Sequence, residues 1–301
     1  ENAGFSAADL LRMLPAPPRP TGYASLGPFA TLVRAVGDAG GVTVGALVAM
    51  AAHREGQQAS VRDFMGFAQK GGSVLSFVRI APSADLLNQV RIDTQQADAL
   101  LACDLVVGAT PEALQAVRHG RTQVLANVHE VPVAESLRNP DADLHVDALL
   151  QKMRFVAGDA QVHSFDAQTL AQDFLGDTIT SNIVAMGLAW QRGLVPVGLA
   201  AMEQAIRLNN VAVESNLLAF SLGRLAAADP AALQQLLGSA LRAPAQNDDE
   251  PLDALITRGV AHLTAYQNAA WAQRYASRVR AVAEREAALP DGDATLPLAR
   301  A

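Results

Sequence analysis

The sequence predicts an α/β domain with an open, mostly parallel sheet and helices on both faces, followed by an all-helical C-terminal extension. Apolar runs of strand length alternate with segments of helical spacing between residues 29 and 127. A glycine-rich turn separates the first run from the first helix, and strand patterns stop after about residue 168. Strands that alternate with helices favour parallel pairing, because each helical crossover returns the chain to the same end of the sheet.

Individual elements follow from the spacing of apolar residues. Strands are predicted from short apolar runs at residues 29–36, 59–64, 74–80, 105–108 and 123–127. Helices are predicted at residues 42–54, 95–101 and 111–117, where apolar side chains recur every three or four positions. Pro111 suits the first turn of a helix, where no backbone N–H is needed.

The C-terminal half has the helical pattern throughout. Helices are predicted at residues 178–191, 199–208, 211–228, from Pro230 onward and over 252–289, with an acidic hinge at 243–251. Trp190 and Trp271 fall on apolar stripes of these helices, so both are predicted to lie in the core.

Residues 1–28 form a separate region, because they hold five of the fifteen prolines. Proline at this density prevents helices and central strands, which indicates a leader or linker. We therefore expect a linker at 1–28, the α/β domain at 29–228, and the helical extension with a tail at 229–301.

Composition excludes several classes of function. The net charge of −7 argues against a general nucleic-acid or membrane-surface binder, which would carry a basic patch. No apolar run approaches the ~18 residues that span a bilayer, and the start of the chain has no signal-peptide pattern. The single cysteine, Cys103, allows no internal disulfide and is predicted to be a buried structural thiol. We expect a cytoplasmic location.

The segment before the third strand carries a candidate contact loop. Gln69 and Lys70 supply an amide and a cation, and Gly71 and Gly72 allow a partner to approach the main chain closely. The loop suits an anionic or carbonyl group, or another protein domain. The alternative is that Lys70 is an ordinary solvated cation.

The turn after the first strand is a candidate anion site, formed by Gly37, Asp38, Gly40 and Gly41. Unpaired amides and a helix N-terminus favour negative charge at such a turn in α/β sheets. The turn lacks the first glycine of a dinucleotide fingerprint, and the carboxylate of Asp38 would repel a phosphate. The alternative is a tight turn with a structural role only.

The end of the fifth predicted strand places Asn127, His129 and Glu130 where α/β sheets bind ligands. These side chains are candidates for polar contact or proton exchange, or they bond the neighbouring backbone. The other histidines are scattered, so no metal site is predicted. The arginines of the last helices are either solvated or in contact with an acidic neighbouring domain: Arg258, Arg274, Arg278, Arg280 and Arg285.

Several of these segments resemble the gamma domain of 2-oxoacid:ferredoxin oxidoreductases. They are residues 42–47 (VTVGAL), 68–72 (AQKGG) with 78–80 (VRI), and 104–107 (DLVV). Others resemble the fused indolepyruvate-type enzymes: 127–132 (NVHEVP), 138–141 (RNPD), 189–194 (AWQRGL) and 209–214 (NNVAVE). Residues 252–256 (LDALI) and 263–267 (LTAYQ) resemble the start of the helical C-terminal domain in those fused chains.

The resemblance implies a Rossmann-like gamma domain at 29–228 that helps to close the reaction chamber of a larger enzyme. Such enzymes decarboxylate a 2-oxoacid on thiamine diphosphate, pass electrons through [4Fe-4S] clusters to ferredoxin, and transfer the acyl group to coenzyme A. The implied partners are thiamine-binding and iron–sulfur domains or subunits and, through the assembly, ferredoxin. No cofactor is expected on this chain alone, and Gln69 to Gly72 would form a loop of the chamber.

The sequence departs from the family pattern at the glycine turn, where Ala35, Asp38 and Gly41 replace the usual residues, and at Phe77, which replaces a histidine. These departures favour an alternative, a non-catalytic Rossmann-like interaction or regulatory module derived from such a domain. A free-standing nicotinamide dehydrogenase is a third, weaker interpretation.

Overall fold

The computed structural model of the chain describes residues 28–36, 41–65, 73–129, 146–240, 251–289 and 299. The chain divides into two compact units, Glu1–Leu241 and Arg242–Ala301. The domain limits expected from the sequence, at 28/29 and 228/229, stay predictions.

The first unit is built on a six-stranded sheet in the order β2-β3-β1-β4-β5-β6. Strands β1, β4, β5 and β6 pair in parallel, whereas β3 lies antiparallel between β1 and β2. The predicted fold class, a mostly parallel open sheet followed by a helical region, is confirmed. The strands are β1 Phe29–Val36, β2 Gln58–Met65, β3 Ser73–Ala81, β4 Ala99–Ala102, β5 Gln123–Asn127 and β6 Val162–Phe165.

Helices connect and cover these strands, and two further helices make up most of the described part of the second unit. In the first unit they are α1 Gly41–Arg54, α2 Leu105–Gly108, α3 Pro111–Leu114, α4 Val146–Ala157, α5 Ala167–Leu175, α6 Ser181–Gln191, α7 Leu199–Asn209, α8 Val213–Ala228 and α9 Pro230–Ala240. In the second unit they are α10 Leu252–Tyr266 and α11 Ala269–Ala287.

Two predictions around residue 100 were wrong. The segment 95–101, predicted as a helix, overlaps strand β4 at residues 99–101, and the predicted strand Leu105–Gly108 is the short helix α2. Every residue of β4 is buried between β1 and β5, so burial overrides the helical preference of its alanines and leucines. Asp104 begins α2 because its side chain accepts a hydrogen bond from the Val107 N–H.

Apolar residues cover both faces of the sheet. On one face, Val33 and Ala35 of β1 pack with α1 and with α6 to α8. On the other, Ala30 and Leu32 pack with the apolar side chains of α2, α3 and α4. The alternation of side chains along β1 therefore gives each face its own core.

Helices α6 and α8 approach each other unusually closely, because Gly187 and Gly223 face the partner backbone. A Cβ atom on Gly223 would overlap the carbonyl oxygen of Val184, and one on Gly187 would overlap that of Phe220. Trp190 lies beside this contact, only 1% exposed, with its indole N–H donating to the Val197 carbonyl at 2.7 Å. The prediction that Trp190 is a core residue is confirmed.

The second unit is a helical hairpin that buries few side chains, and α10 and α11 are two helices rather than the single predicted one. They pack where Gly259 meets the Tyr275 ring. Trp271 is 41% exposed, with the Arg274 guanidinium 4.9 Å from its ring centre. The predicted core position of Trp271 was therefore wrong: an arginine covers the ring instead of a neighbouring helix. In the described part of the chain, no helix combines the length and apolar character needed to cross a membrane.

We predict that Gly223→Ala destabilises the first unit by about 2–3 kcal/mol, because the added methyl group forces α6 and α8 apart. Urea unfolding measures this loss. The matched control is Gly45→Ala in α1, whose Cβ would meet only side-chain atoms, the nearest being those of Val61 and Val78 at 3.3 Å. Helix propensity favours this substitution by up to about 1 kcal/mol, so it should cost less stability than Gly223→Ala. Equal stability of the Gly223 and Gly45 variants would contradict the close packing of the two helices.

Candidate functional site

The predicted site segments all leave the sheet at one edge. Val36, the last residue of β1, pairs with Ser73, the first of β3, and Met65 of β2 pairs with Val74. Residues 37–40, which follow β1, and residues 66–72, which join β2 to β3, therefore begin at the edge where the parallel strands β4, β5 and β6 also finish. This carboxyl edge is where open α/β sheets bind ligands.

The structure describes only some of the predicted site residues. Gly41 begins α1, Asn127 ends β5, and His129 follows two residues later. The other predicted positions lie outside the described residues, so their roles stay predictions: Gly37, Asp38, Gly40, Gln69, Lys70, Gly71, Gly72 and Glu130.

The side chain of Asn127 ties together the ends of three strands. It is 2% exposed, and its Nδ2 donates to the Cys103 carbonyl after β4 at 2.9 Å and to Gln168 Oε1 at 2.6 Å. Its Oδ1 accepts from the Ala167 N–H, at the start of α5, at 3.0 Å. Both N–H donors of the amide and its oxygen thus bond within the chain, and the predicted polar contact of Asn127 with a ligand stays a prediction.

His129 lies next to Asp166, the residue that caps α5. Its Nδ1 is 3.4 Å from Asp166 Oδ1, and both side chains are partly exposed. Asp166 also accepts hydrogen bonds from the N–H and hydroxyl of Thr169 at 2.9 and 2.7 Å. His129 is thus placed at the carboxyl edge, held near a carboxylate and still open to solvent.

Several opposing effects set the pKa of Asp166. Partial burial raises this pKa. The hydrogen bonds from Thr169 and the neighbouring His129 lower it by more, so the net pKa is below its ordinary value. Because the folded-state pKa is depressed, the stabilisation that Asp166 provides is present above the unfolded-state pKa. It is lost as the pH falls through the folded-state value.

Cys103 follows β4 and is buried, as predicted. Burial, reinforced by the carboxylate of Asp104, raises the pKa of its thiol to about 12. The thiol therefore stays protonated at neutral pH, which makes it a poor nucleophile and a poor metal ligand.

The sequence interpretation missed a buried arginine at the same edge. Arg34 of β1 donates from Nε to the Val107 carbonyl at 3.0 Å and from Nη2 to the Thr110 hydroxyl at 2.7 Å. Burial lowers its pKa, although Glu112 and Asp104 act in the opposite direction. A charged residue inside the apolar run of β1 was the available signal, since a buried charge requires partners.

The family resemblance implies iron–sulfur clusters, whose ligands the residues at this edge do not supply. An iron–sulfur cluster is held by about four thiolates, and this chain has one cysteine, so its residues do not fit a cluster. Among the described residues, no group of three or more His, Cys, Asp or Glu side chains could hold a metal ion. The side chains of Arg34 and Asn127 at this edge bond backbone and hydroxyl groups of the chain itself, and so hold together the strand ends from which the predicted contact segments continue.

We predict that Asn127→Ala destabilises the first unit by about 2–4 kcal/mol, because it leaves the buried Cys103 carbonyl and Ala167 N–H without a partner. Chemical denaturation of the purified chain measures the change. Asn88→Ala, at an exposed position, serves as the control and should change stability by less than about 0.5 kcal/mol. An Asn127 variant as stable as this control would show that the amide does not tie the strand ends together.

We also expect Cys103 to resist a thiol reagent such as 5,5′-dithiobis(2-nitrobenzoate) in the folded chain, because the thiol is buried and protonated. After denaturation the same reagent should modify one thiol per chain, which is the internal control. Rapid modification of the native protein would contradict the buried position.

Two family models match this chain. The model described as pyruvate ferredoxin/flavodoxin oxidoreductase covers residues 30–226, and one described as a family of unknown function covers residues 252–301. The first model spans most of the described sheet and its helices, and it accounts for well over half of the chain.

Curated relatives agree with the first model. The indolepyruvate oxidoreductase subunit IorB of Archaeoglobus fulgidus is 26% identical over 199 residues, which cover 64% of this chain and 92% of that protein. The subunit of the same name from Pyrococcus horikoshii is 27% identical over 203 residues, 65% of this chain and 94% of that protein.

A solved structure shares the fold. The 2-oxoglutarate:ferredoxin oxidoreductase of Magnetococcus marinus, with 2-oxoglutarate, coenzyme A and succinyl-CoA bound, superimposes with a TM-score of 0.50 at 15% identity. The match covers 67% of this chain but only 31% of that one. The expectation that this chain is part of an oxidoreductase is confirmed by the family match. The chain belongs to the pyruvate ferredoxin/flavodoxin oxidoreductase family.

Proposed function

We propose that this chain is the gamma-type part of an indolepyruvate-type 2-oxoacid:ferredoxin oxidoreductase, which converts an aryl or other 2-oxoacid to its acyl-CoA. The relatives named indolepyruvate oxidoreductase subunit IorB support the substrate class, because the match extends over nearly their whole length. In this proposal the chain is cytoplasmic and lines one side of the reaction chamber.

One observation carries the proposal. The segments 37–40 and 66–72 and the residues after β5 all begin at the carboxyl edge of one sheet. A wall of a reaction chamber needs its contact groups on one side, and a rigid sheet edge can supply them from several connections at once. The family match over residues 30–226 includes all three segments.

The chemistry of each segment suits a distinct contact. Lys70 and Gln69 offer a cation and an amide to a carboxylate, a phosphate or a carbonyl oxygen, and Gly71 and Gly72 permit close approach of the backbone. The amides near Gly37, Gly40 and Gly41 lie before the N-terminus of α1 and would bind an anion or brace an interface. His129, beside Asp166, would make a polar contact at the same edge.

Other domains or subunits must hold the reactive cofactors. Thiamine diphosphate supplies the decarboxylation chemistry when bound there, while iron–sulfur clusters pass the electrons to ferredoxin. Cys103 does not suit a cluster, as argued above. The partners proposed for this chain are therefore the thiamine-binding and cluster-bearing parts of the same enzyme.

Reconstitution tests the proposal. The full-length protein containing this chain, combined with its thiamine-binding and cluster-bearing partners, should reduce ferredoxin when indolepyruvate and coenzyme A are supplied. Omitting the gamma-type chain should abolish that reduction. Full activity without the chain would contradict a part in the reaction chamber.

We expect Lys70→Ala to lower kcat/KM of the assembled enzyme roughly 10- to 100-fold, the cost of one lost hydrogen bond to a charged group. Lys70→Arg, which keeps the charge, should recover part of the loss. Arg207→Ala, at an exposed position of α7, is the matched control. Kinetics of Lys70→Ala equal to those of the control would remove the proposed role of Lys70.

A second candidate is a non-catalytic interaction or regulatory module derived from such a domain. Phe77 favours it, because the ring that stands in place of the family's histidine lies edge-on to Phe64, with 5.5 Å between ring centres. A hydrophobic pair at this position makes no polar contact with a substrate. If this candidate is right, the reconstituted enzyme should still reduce ferredoxin when the chain is omitted, at a changed rate.

A further inference from the structure

A cluster of arginine and phenylalanine side chains lies on the edge strand β2, on its neighbour β3 and on the connection that follows β3. The guanidinium groups of Arg62 and Arg91 lie 5.3 and 4.6 Å from the centre of the Phe64 ring. Phe77, opposite Arg62 in the sheet register, meets the edge of the same ring. Arg79, two residues along β3 on the same face, adds a third cation. We call these five residues the arginine–phenylalanine surface.

The described helices leave this surface largely uncovered. Helix α1 packs on the opposite face of β2 and β3, where its Gly45 faces Val61 and Val78. On the face that bears Arg62 and Phe64, helices α2 and α4 pack instead over the central and far strands. Arg62 and Arg91 are exposed and Phe64 and Arg79 are half-buried, whereas Phe77 is only 7% exposed and anchors the surface to the core.

The described part of the chain offers the three arginines no carboxylate partner. Within the described ranges, no Asp or Glu lies at ion-pair distance from Arg62, Arg79 or Arg91. Arg79 donates from Nη1 to the Oε1 of Gln89 at 3.1 Å, while its Nε is buried with no hydrogen-bond partner. In a chain of net charge −7, three cations without a carboxylate partner among the described residues, two of them exposed, form a local reversal of charge.

We propose that the arginine–phenylalanine surface is the docking surface for an acidic face of a partner protein. Arginine held against an aromatic ring keeps its planar fork of N–H donors available, and that fork matches the geometry of a carboxylate. Arginine and aromatic residues are also the types enriched in protein interfaces. The Phe64 ring already has two guanidinium groups over it and Phe77 at its edge, which leaves little ring surface for a planar ligand to stack on.

The position of the surface connects it with the proposed function, on which the identity of the partner rests. Phe64 is one residue from the end of β2, so the chain continues almost directly from this surface into the connection that carries Gln69 and Lys70. A partner docked here would lie beside that connection. The partner is therefore the thiamine-binding polypeptide of the same enzyme, which would present carboxylates to Arg62 and Arg91.

Arginine labelling tests the proposal. Phenylglyoxal modification, read by mass spectrometry, is compared between the isolated full-length protein and its complex with the thiamine-binding polypeptide. Arg62 and Arg91 should lose their labelling in the complex, whereas the exposed Arg154 and Arg207 should not. The double variant Arg62→Glu with Arg91→Glu should bind the partner about tenfold more weakly or worse, and Arg154→Glu with Arg207→Glu should bind as the unmodified protein does.

The outcomes separate this proposal from the proposed function. The complex could form with the labelling of Arg62 and Arg91 unchanged and with the double variant binding the partner as tightly as the unmodified protein does. That result would overturn the docking surface and leave the proposed function standing. If the thiamine-binding polypeptide does not bind at all, both fail. Protection of Arg62 and Arg91 by inorganic phosphate in the isolated protein, without protection in the complex, would reassign the surface to a small anion and also overturn the proposal.

Discussion

The buried amide of Asn127 is the interaction on which the geometry of the candidate site depends. It joins the residue after β4, the end of β5 and the start of α5 through three hydrogen bonds. Without them, the ends of the parallel strands would carry unpaired polar groups in a buried region, which is costly. The amide therefore fixes the edge from which the proposed contact segments begin. Its role is to hold that edge, and the chemistry that we propose belongs to the residues around it.

Much of the fold could be predicted from the spacing of apolar residues. Both ends of strands β1, β2, β3 and β5 were predicted to within one residue. Both ends of helices α1, α7 and α8 were predicted to within two residues. The region around residue 100 could not be, because β4 has only four residues and is buried on both faces. The sequence of such a strand shows no alternation of polar and apolar residues, so it cannot be distinguished from that of a short buried helix. Strand β6 was not predicted either, because it also has only four residues.

The candidate site was predicted less completely than the fold. His129 and Asn127 were expected at a strand end because the run that precedes them is apolar, and the structure places them there. Their partners Asp166 and Gln168 lie about forty residues away in the sequence, and only the parallel pairing of β5 with β6 brings them together. The Arg34 network depends in the same way on Thr110 and on α2, which the sequence interpretation had predicted as a strand. Long-range pairing, which local patterns do not contain, accounts for both failures.

The central claim is that the carboxyl edge of the sheet faces the rest of the enzyme. Hydrogen–deuterium exchange, compared between the free full-length protein and the assembled oxidoreductase, tests it most directly. We expect slower exchange on assembly at the flanks of that edge, near residues 36, 65, 73 and 127–129. Residues 55–58 and 118–122, at the opposite edge of the sheet, should exchange as before. Protection confined to that opposite edge would contradict the account.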